Sequence, residues 1–480
     1  MRITIAVLDK KSNNAPATTL VALQSIKTKE NKYFTIASPY TSVIENDILS
    51  LQKENLHSSV AIASCSSESP SQGSSLIGKV GDTMFAFEGI IYSPKPKIPF
   101  AESITKKSQQ EQERAIEGMV EESEGDFAFL VAGQDRIIAA RDPIGVRPLY
   151  YGENEACVAA GSNRKILWKL GIEKAYSFPP GHVGLASPDG FRFKPVKTLK
   201  YKEPKPITIE KATFTLQKLL ERSVRLRVQD VTEVAVAFSG GLDSSIVAFL
   251  AKKCGANVSL VHVSLRNQAE TQEAKKAAEE LELPLSVHLF EEEDVENIVG
   301  EVVGLIEEPD PVKLAIGIPF YWAAQKTAQA GFKVLLAGQG ADELFGGYQR
   351  YVHEYCLHGE EKTRRTMFAD VVGMYKSNLE RDAKICGFHD VELRLPFASY
   401  NLVEFDSGLP MKLKIEAKTD TLRKLILRRT AETVGLPAFI TRKPKKAVQY
   451  STGINSVLKK IAKKKALSVK SYVSWLFGEI

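Results

Sequence analysis

Glu233-Val234-Ala235-Val236-Ala237-Phe238-Ser239-Gly240-Gly241-Leu242-Asp243-Ser244-Ser245 is the stretch that decides the fold. An apolar, β-type run ends on two glycines, an acid and three hydroxyls, and Ser245 to Lys253 continues as a helix. Glycines let the backbone turn tightly and approach a ligand closely. A helix N-terminus offers unpaired N–H groups and a partial positive charge, so it favours an anion. Ser239, Ser244 and Ser245 add hydroxyl donors, and Asp243 suits a Mg²⁺ that bridges phosphate oxygens. A simple turn with a helix cap would need only part of this set. No Gly-Lys-Ser/Thr follows, so the loop is not the Walker type.

Working outward, Asn257–Leu265, Leu285–Phe290 and Lys333–Ala337 read as further strands. Residues 269–282 place Ala274, Ala277, Ala278 and Leu281 on one helical face. Such alternation predicts a parallel sheet with helices on both faces, and ligands collect at the carboxyl ends of its strands. Upstream the texture changes. Ile3–Leu8, Val60–Ala63, Met84–Tyr92, Phe127–Val131, Arg136–Ala140 and Cys157–Ala160 are short β-type runs between polar turns, predicting sheet-rich packing. Tyr201 to Ile207, with two prolines and alternating charges, reads as a linker. The expected domains are therefore 1–200 and 208–480.

A chain of 480 residues is too long for one core. It has no apolar run long enough for a membrane span, and its first residues read as a strand rather than a signal peptide. Five cysteines, at 65, 157, 254, 356 and 386, form no C-x-x-C pair. Neither a zinc site nor a disulfide framework is indicated, and a reducing cytoplasm is the expected location. Residues 441–466 hold nine Lys or Arg and no acid, against a formal net charge of +6 for the whole chain. The basicity is local: it could grip phosphates or be a solvated face.

Ser239 to Ser244 resembles the signature of the PP-loop ATP pyrophosphatases, which split ATP to AMP and pyrophosphate. The loop alone does not choose among asparagine synthetases, GMP synthetases, argininosuccinate synthetases and tRNA-modifying relatives. Later segments narrow the choice. Leu335–Tyr348, Asn378–Asp382, the segment His389–Phe397 with Glu392, Arg394, Pro396 and Phe397, Leu427–Arg429 and Arg442–Lys446 resemble successive blocks of the asparagine synthetase family in order and spacing. The resemblance implies an adenine nucleotide alpha hydrolase-like α/β domain that binds ATP and Mg²⁺. Phe238, Ser239, Gly240, Gly241, Asp243, Ser244, Val263, Ala337 and Gly338 would hold the nucleotide, and Asp243 with Asp342 the metal. Lys445 would neutralise charge as pyrophosphate leaves, with Lys443 and Lys446 as alternatives within the same loop. Gln339 and Arg381 would stand at the substrate, although Arg381 and Asp382 could equally be a structural ion pair. The chain departs from the family where Gln339 replaces an acid and Ala337 a serine, which opens the identity of the carboxylate substrate.

In the first half, Gly125–Phe129, Arg141–Tyr151 and Pro179–Gly181 resemble blocks of class II glutamine amidotransferases, implying an Ntn-hydrolase-like αββα domain. Arg141 and Asp142 read as architectural. That chemistry needs a cysteine at position 2, whose own α-amine activates the thiol. Position 2 is Arg2. Glu88-Gly89 stands where the family has an Asn-Gly pair of the oxyanion hole, and Ser58-Ser59 where it has arginines. Carboxylate at 88 would repel a developing oxyanion. The expectation is an amide-forming ligase of asparagine biosynthesis without glutaminase activity. It would adenylate a carboxylate, aspartate first, and aminate it with ammonia, acting on small molecules as a possible homodimer or beside a separate ammonia donor. The alternatives are adenylation of another carboxylate and a non-catalytic ATP-binding regulator. RNA modification, prompted by the lysine-rich stretch, ranks last because most of those lysines should lie near the phosphate site.

Overall fold

The computed structural model describes residues 3–24, 32–54, 56–67, 75–94, 104, 109–416, 422–444 and 452–479. The chain divides into two compact units, Met1–Thr198 and Leu199–Ile480.

The first unit holds two antiparallel sheets. One contains β1 (Ile3–Asp9), β2 (Tyr33–Ala37), β3 (Ser42–Glu45), β4 (Val60–Ser66), β9 (Tyr150–Glu153), β10 (Cys157–Gly161) and β11 (Tyr176–Ser177). The other contains β5 (Ser75–Val80), β6 (Thr83–Ser93), β7 (Glu124–Ala132), β8 (Ile137–Arg141), β12 (His182–Ser187) and β13 (Gly190–Pro195). Successive side chains of a strand point to opposite faces, and both faces are apolar here. Ile3, Ile5 and Val7 of β1 pack with Leu20 and Leu23 of the helix Ala15–Gln24, whereas Ala6 and Leu8 meet Met84, Ala86 and Leu130 of the second sheet. Phe85, Phe87, Phe127 and Phe129 then face Ile116 and Val120 of the helix Gln109–Glu122. Helix, sheet, sheet and helix form four layers. This is the αββα arrangement.

The second unit is built on a five-stranded, all-parallel sheet of order β16-β15-β14-β17-β18. Its strands are β14 (Glu233–Ala237), β15 (Asn257–Leu265), β16 (Leu285–Phe290), β17 (Val334–Leu336) and β18 (Glu392–Arg394). The helices Leu242–Lys253 and Pro311–Gln329 pack against β14 and β15. From β14 the chain adds strands first on one side and then, with β17, on the other. That reversal is where a parallel sheet opens a crevice for ligands. The helix after β14 begins at Leu242, three residues before the expected start, so Asp243 and Ser244 lie in its first turn.

All five cysteines are free of disulfides. Among the described residues, no helix is long and apolar enough to cross a membrane.

Candidate active site

The loop after β14 sits at the sheet's carboxyl edge. Phe238 continues the strand by donating its N–H to the Val261 carbonyl at 2.9 Å. Gly240 then takes φ +65°, and a Cβ there would stand 2.7 Å from Ala274 Cα. Glycine is required at that position for both reasons. Gly241 caps the helix without a side-chain hydrogen bond of its own. Ser239 and Ser244 line the turn: their hydroxyls lie 3.3 Å apart, and Ser244 Oγ also approaches the Gly241 carbonyl at 3.4 Å. Ser245 Oγ is buried with no partner among the described residues.

The strand β17 delivers the second half of the site. Ala337 and Gly338 follow it, and a Cβ on Gly338 would lie 2.8 Å from Asp243 Cβ. The two loops therefore touch. Asp342 occupies the first turn of the short helix Ala341–Phe345. Asp243 and Asp342 converge on one cation. Lys424 Nζ lies 2.7 and 2.6 Å from the two carboxylate oxygens of Asp243 and 2.5 Å from Asp342 Oδ1. Gly347 closes over this group, since a Cβ there would sit 1.9 Å from Asp342 Oδ1 and 2.4 Å from Lys424 Cε. Two carboxylates aimed at a common point suit a hard divalent cation whose remaining positions are filled by phosphate oxygens. The donor set therefore fits a substrate-borne Mg²⁺, with Lys424 marking where positive charge belongs. Among the described residues no cluster of three or more His, Cys, Asp or Glu could hold a metal by itself.

Lys424 was not legible as a site residue. It caps the helix Leu425–Val434 at φ +60°, a placement that no local sequence pattern announces. A cation at a helix N-terminus opposes the helix dipole, and a left-handed lysine is uncommon.

Beside the loops lies a buried polar group. Gln339 donates from Nε2 to Asp382 Oδ2 at 2.7 Å, and Arg381 grips the same carboxylate through Nε and Nη2 at 2.7 and 3.0 Å. Arg381 is 2% and Asp382 0% exposed, so this ion pair is internal. Burial pushes the Asp382 carboxyl up, against the pull of Arg381 and Gln339. The neighbouring Glu343 is also buried, which together with Asp342 raises its pKa; Tyr348 Oη and Asn378 Nδ2 each donate to it at 2.7 Å.

Val263 is half-buried on β15, where its neighbour His262 reaches the Phe238 carbonyl through Nδ1 at 2.9 Å and Thr271 Oγ1 through Nε2 at 3.2 Å. Burial holds the His262 imidazole below its usual pKa, against the pull of its hydrogen bond to the Phe238 carbonyl and with the charge of Lys443 adding to the lowering. Of the basic stretch, Lys443 comes to the loop, at 3.1 Å from the Gly240 carbonyl and 2.8 Å from Glu273 Oε2. Lys445 and Lys446 lie outside the described residues. The helix Ile454–Lys464 carries its lysines elsewhere: Lys460 and Lys464 pair with Glu292 and Glu296. Those two belong to a solvated face, which corrects for Lys460 and Lys464 the expectation that they stand near the phosphate site.

In the first unit, Arg141 and Asp142 serve the backbone. Arg141 donates to the Phe178 and Gly145 carbonyls at 2.9 and 2.7 Å. Asp142 accepts from the N–H groups of Ile144, Gly145, Val146 and Arg147. Glu88 is half-buried on β6 opposite Ala128, and Gly89 takes φ +114° against the Asp126 carbonyl. Cys65 is fully buried in a core cluster, in register with Ile3. Arg2 lies outside the described residues.

A family model described as asparagine synthase matches residues 215–362 and 355–473, and one described as glutamine amidotransferase domain matches 101–169. A Methanocaldococcus jannaschii protein bearing the name "Putative asparagine synthetase [glutamine-hydrolyzing] 1" is 34% identical over 401 residues, covering 74% of this chain and 74% of that protein. Asparagine synthetase [glutamine-hydrolyzing] 1 of Saccharomyces cerevisiae is 26% identical, covering 65% of this chain and 61% of its own length. The Triphysaria versicolor enzyme of that name is 28% identical, covering 70% and 59%. The chain thus spans about three fifths of these two eukaryotic relatives.

Proposed function

We propose, from the premise that the chain belongs to the asparagine synthase family, that it is an ammonia-using ligase whose Leu199–Ile480 unit adenylates a carboxylate at the expense of ATP. The observation that carries this reading is the convergence of Asp243 and Asp342 on one cation position beside the Ser239–Ser245 loop. Phosphates of ATP would enter the loop, where backbone N–H groups and the Ser239 and Ser244 hydroxyls donate to them. Asp243 and Asp342 would hold Mg²⁺, which neutralises phosphate charge. Lys424 would then turn its ammonium from the carboxylates to the phosphates, stabilising the charge that develops as pyrophosphate leaves. Substrate carboxylate oxygen attacks the α-phosphorus and releases pyrophosphate; ammonia then attacks the acyl carbon and AMP departs with the shared oxygen. Lys445, from the loop after Lys443, is the further candidate for the pyrophosphate contact.

Aspartate is the leading carboxylate, and the Gln339–Asp382–Arg381 group bears on that choice. Asp382 is matched by Arg381, and Gln339 is neutral, so this group offers a substrate ammonium less negative charge than an acid at 339 would. A carboxylate other than aspartate is the second reading.

Glutamine would not supply the nitrogen. Cys65 is buried in the core, and Glu88 places a carboxyl side chain where an amide would be needed. The test is amide formation from Mg-ATP and aspartate with either NH₄⁺ or glutamine as donor. Product with NH₄⁺ alone is expected. Equal product from glutamine would overturn the loss of glutaminase, and no AMP with any carboxylate would overturn the ligase.

A further inference from the structure

We infer that His262 and Lys443 are positioning residues that clasp the phosphate loop from behind and aim its N–H groups at the ligand, an inference that rests on the ATP-binding reading above. His262 Nδ1 lies 2.9 Å from the Phe238 carbonyl oxygen, and Lys443 Nζ lies 3.1 Å from the Gly240 carbonyl oxygen. These two carbonyls belong to the peptide units whose N–H groups are those of Ser239 and Gly241. In a planar trans peptide the C=O and N–H point in opposite directions. Pinning the two oxygens therefore fixes the direction of the two N–H vectors.

Both clasps are themselves anchored to the helix Glu270–Glu280. His262 Nε2 meets Thr271 Oγ1 at 3.2 Å, and Lys443 pairs with Glu273 at 2.8 Å. Gly240 rests on the same helix, close enough that a Cβ would collide with Ala274 Cα. The back of the loop is thus held at Phe238, Gly240 and the glycine's own contact surface. Its front is held weakly. Among the described residues, Ser239 N–H and Gly241 N–H reach only the loop's own hydroxyls, Ser244 Oγ and Ser239 Oγ, each at 3.3 Å. That is beyond the usual 2.7–3.2 Å range for N–H···O bonds, and a phosphate oxygen, being charged, makes the stronger acceptor. A neutral His262 donates through Nδ1 while its Nε2 accepts from the Thr271 hydroxyl, so each ring nitrogen has its role.

Such a clasp acts on groups that bind phosphate and not on those that bind adenine or ribose. Equilibrium binding of Mg-ATP, pyrophosphate and AMP to full-length protein separates the two. In His262→Ala and, independently, Lys443→Met, affinity for Mg-ATP and pyrophosphate should fall about tenfold, with AMP changed less than about threefold. His262→Asn keeps a donor at the δ position and should recover most of the Mg-ATP affinity; His262→Gln, whose donor lies at the ε position, should not. Lys443 is partly exposed, so its replacement should fold normally even if His262→Ala does not. Variants that bind all three ligands like wild type, or lose AMP in proportion to ATP, would overturn the clasp while leaving the ATP site intact. Wild-type protein with no affinity for ATP or pyrophosphate would instead overturn the underlying reading, and the clasp with it.

Discussion

Replacing Lys424 by Met removes the ammonium shared by Asp243 and Asp342 and keeps most of the side chain's volume. Lys424 is 1% exposed, and the two carboxylates are 15% and 18% exposed, so solvent reaches the acids but hardly the lysine. Breaking a fully buried pair by removing one partner costs about 3–5 kcal/mol. Partial exposure of the acids lowers that, and loss of the lysine's own desolvation lowers it further, leaving roughly 2–3 kcal/mol. For a unit of this size such a loss moves the melting temperature by roughly 3–5 °C. The two carboxylates would then face each other without a cation, and Mg²⁺ would bind native protein at the point they share. Ligand binding to the native state alone stabilises it. Thermal unfolding followed across a Mg²⁺ titration should therefore show a larger rise in Lys424→Met than in wild type, where lysine competes for the position. A variant with an unchanged melting temperature and no added Mg²⁺ response would refute the idea that the two acids form one cation site.

His389 packs edge-on to Tyr321 with centroids 4.4 Å apart, and its Nε2 is buried without a hydrogen-bond partner among the described residues; burial pushes its pKa down to about 4. The unfolded chain binds more protons than the native one between that value and about 6.5, so stability is present above this window and is lost as pH falls through it, by roughly 2–3 kcal/mol. His389→Phe should flatten the slope measured by urea unfolding between pH 7 and 4.5, and an unchanged slope would contradict the assignment. Gly347→Ala drives a methyl group into Asp342 and Lys424; it should weaken Mg-ATP binding at least about tenfold, and wild-type affinity would show that the loop yields freely.

Much of this site was legible because its signals are local. Asn257–Leu265 and Leu285–Phe290 are strands with the bounds their apolar runs suggest, and the glycines, hydroxyls and acid of the phosphate loop stand within seven consecutive residues. The rest depends on long-range placement. Lys424 is 181 residues from the aspartate it neutralises, and Lys443 is 203 from the carbonyl it holds. Nothing in either residue's neighbourhood names its partner. β18 is only three residues long, and its strand character comes from pairing with β17. The ambiguity at Arg381 is of a different kind: a guanidinium beside an acid reads equally as substrate clamp or internal pair, and only burial separates the two.

In an adenylating ligase a carboxylate oxygen becomes bonded to the α-phosphorus of ATP before nitrogen enters. Aspartate carrying ¹⁸O at both side-chain carboxylate oxygens, incubated with protein, Mg-ATP and NH₄⁺, tests it most directly by mass spectrometry of the nucleotide product. One ¹⁸O should appear in each AMP formed, and the other should remain in the amide. Label in inorganic phosphate with ADP as the nucleotide, or AMP free of label, would contradict it.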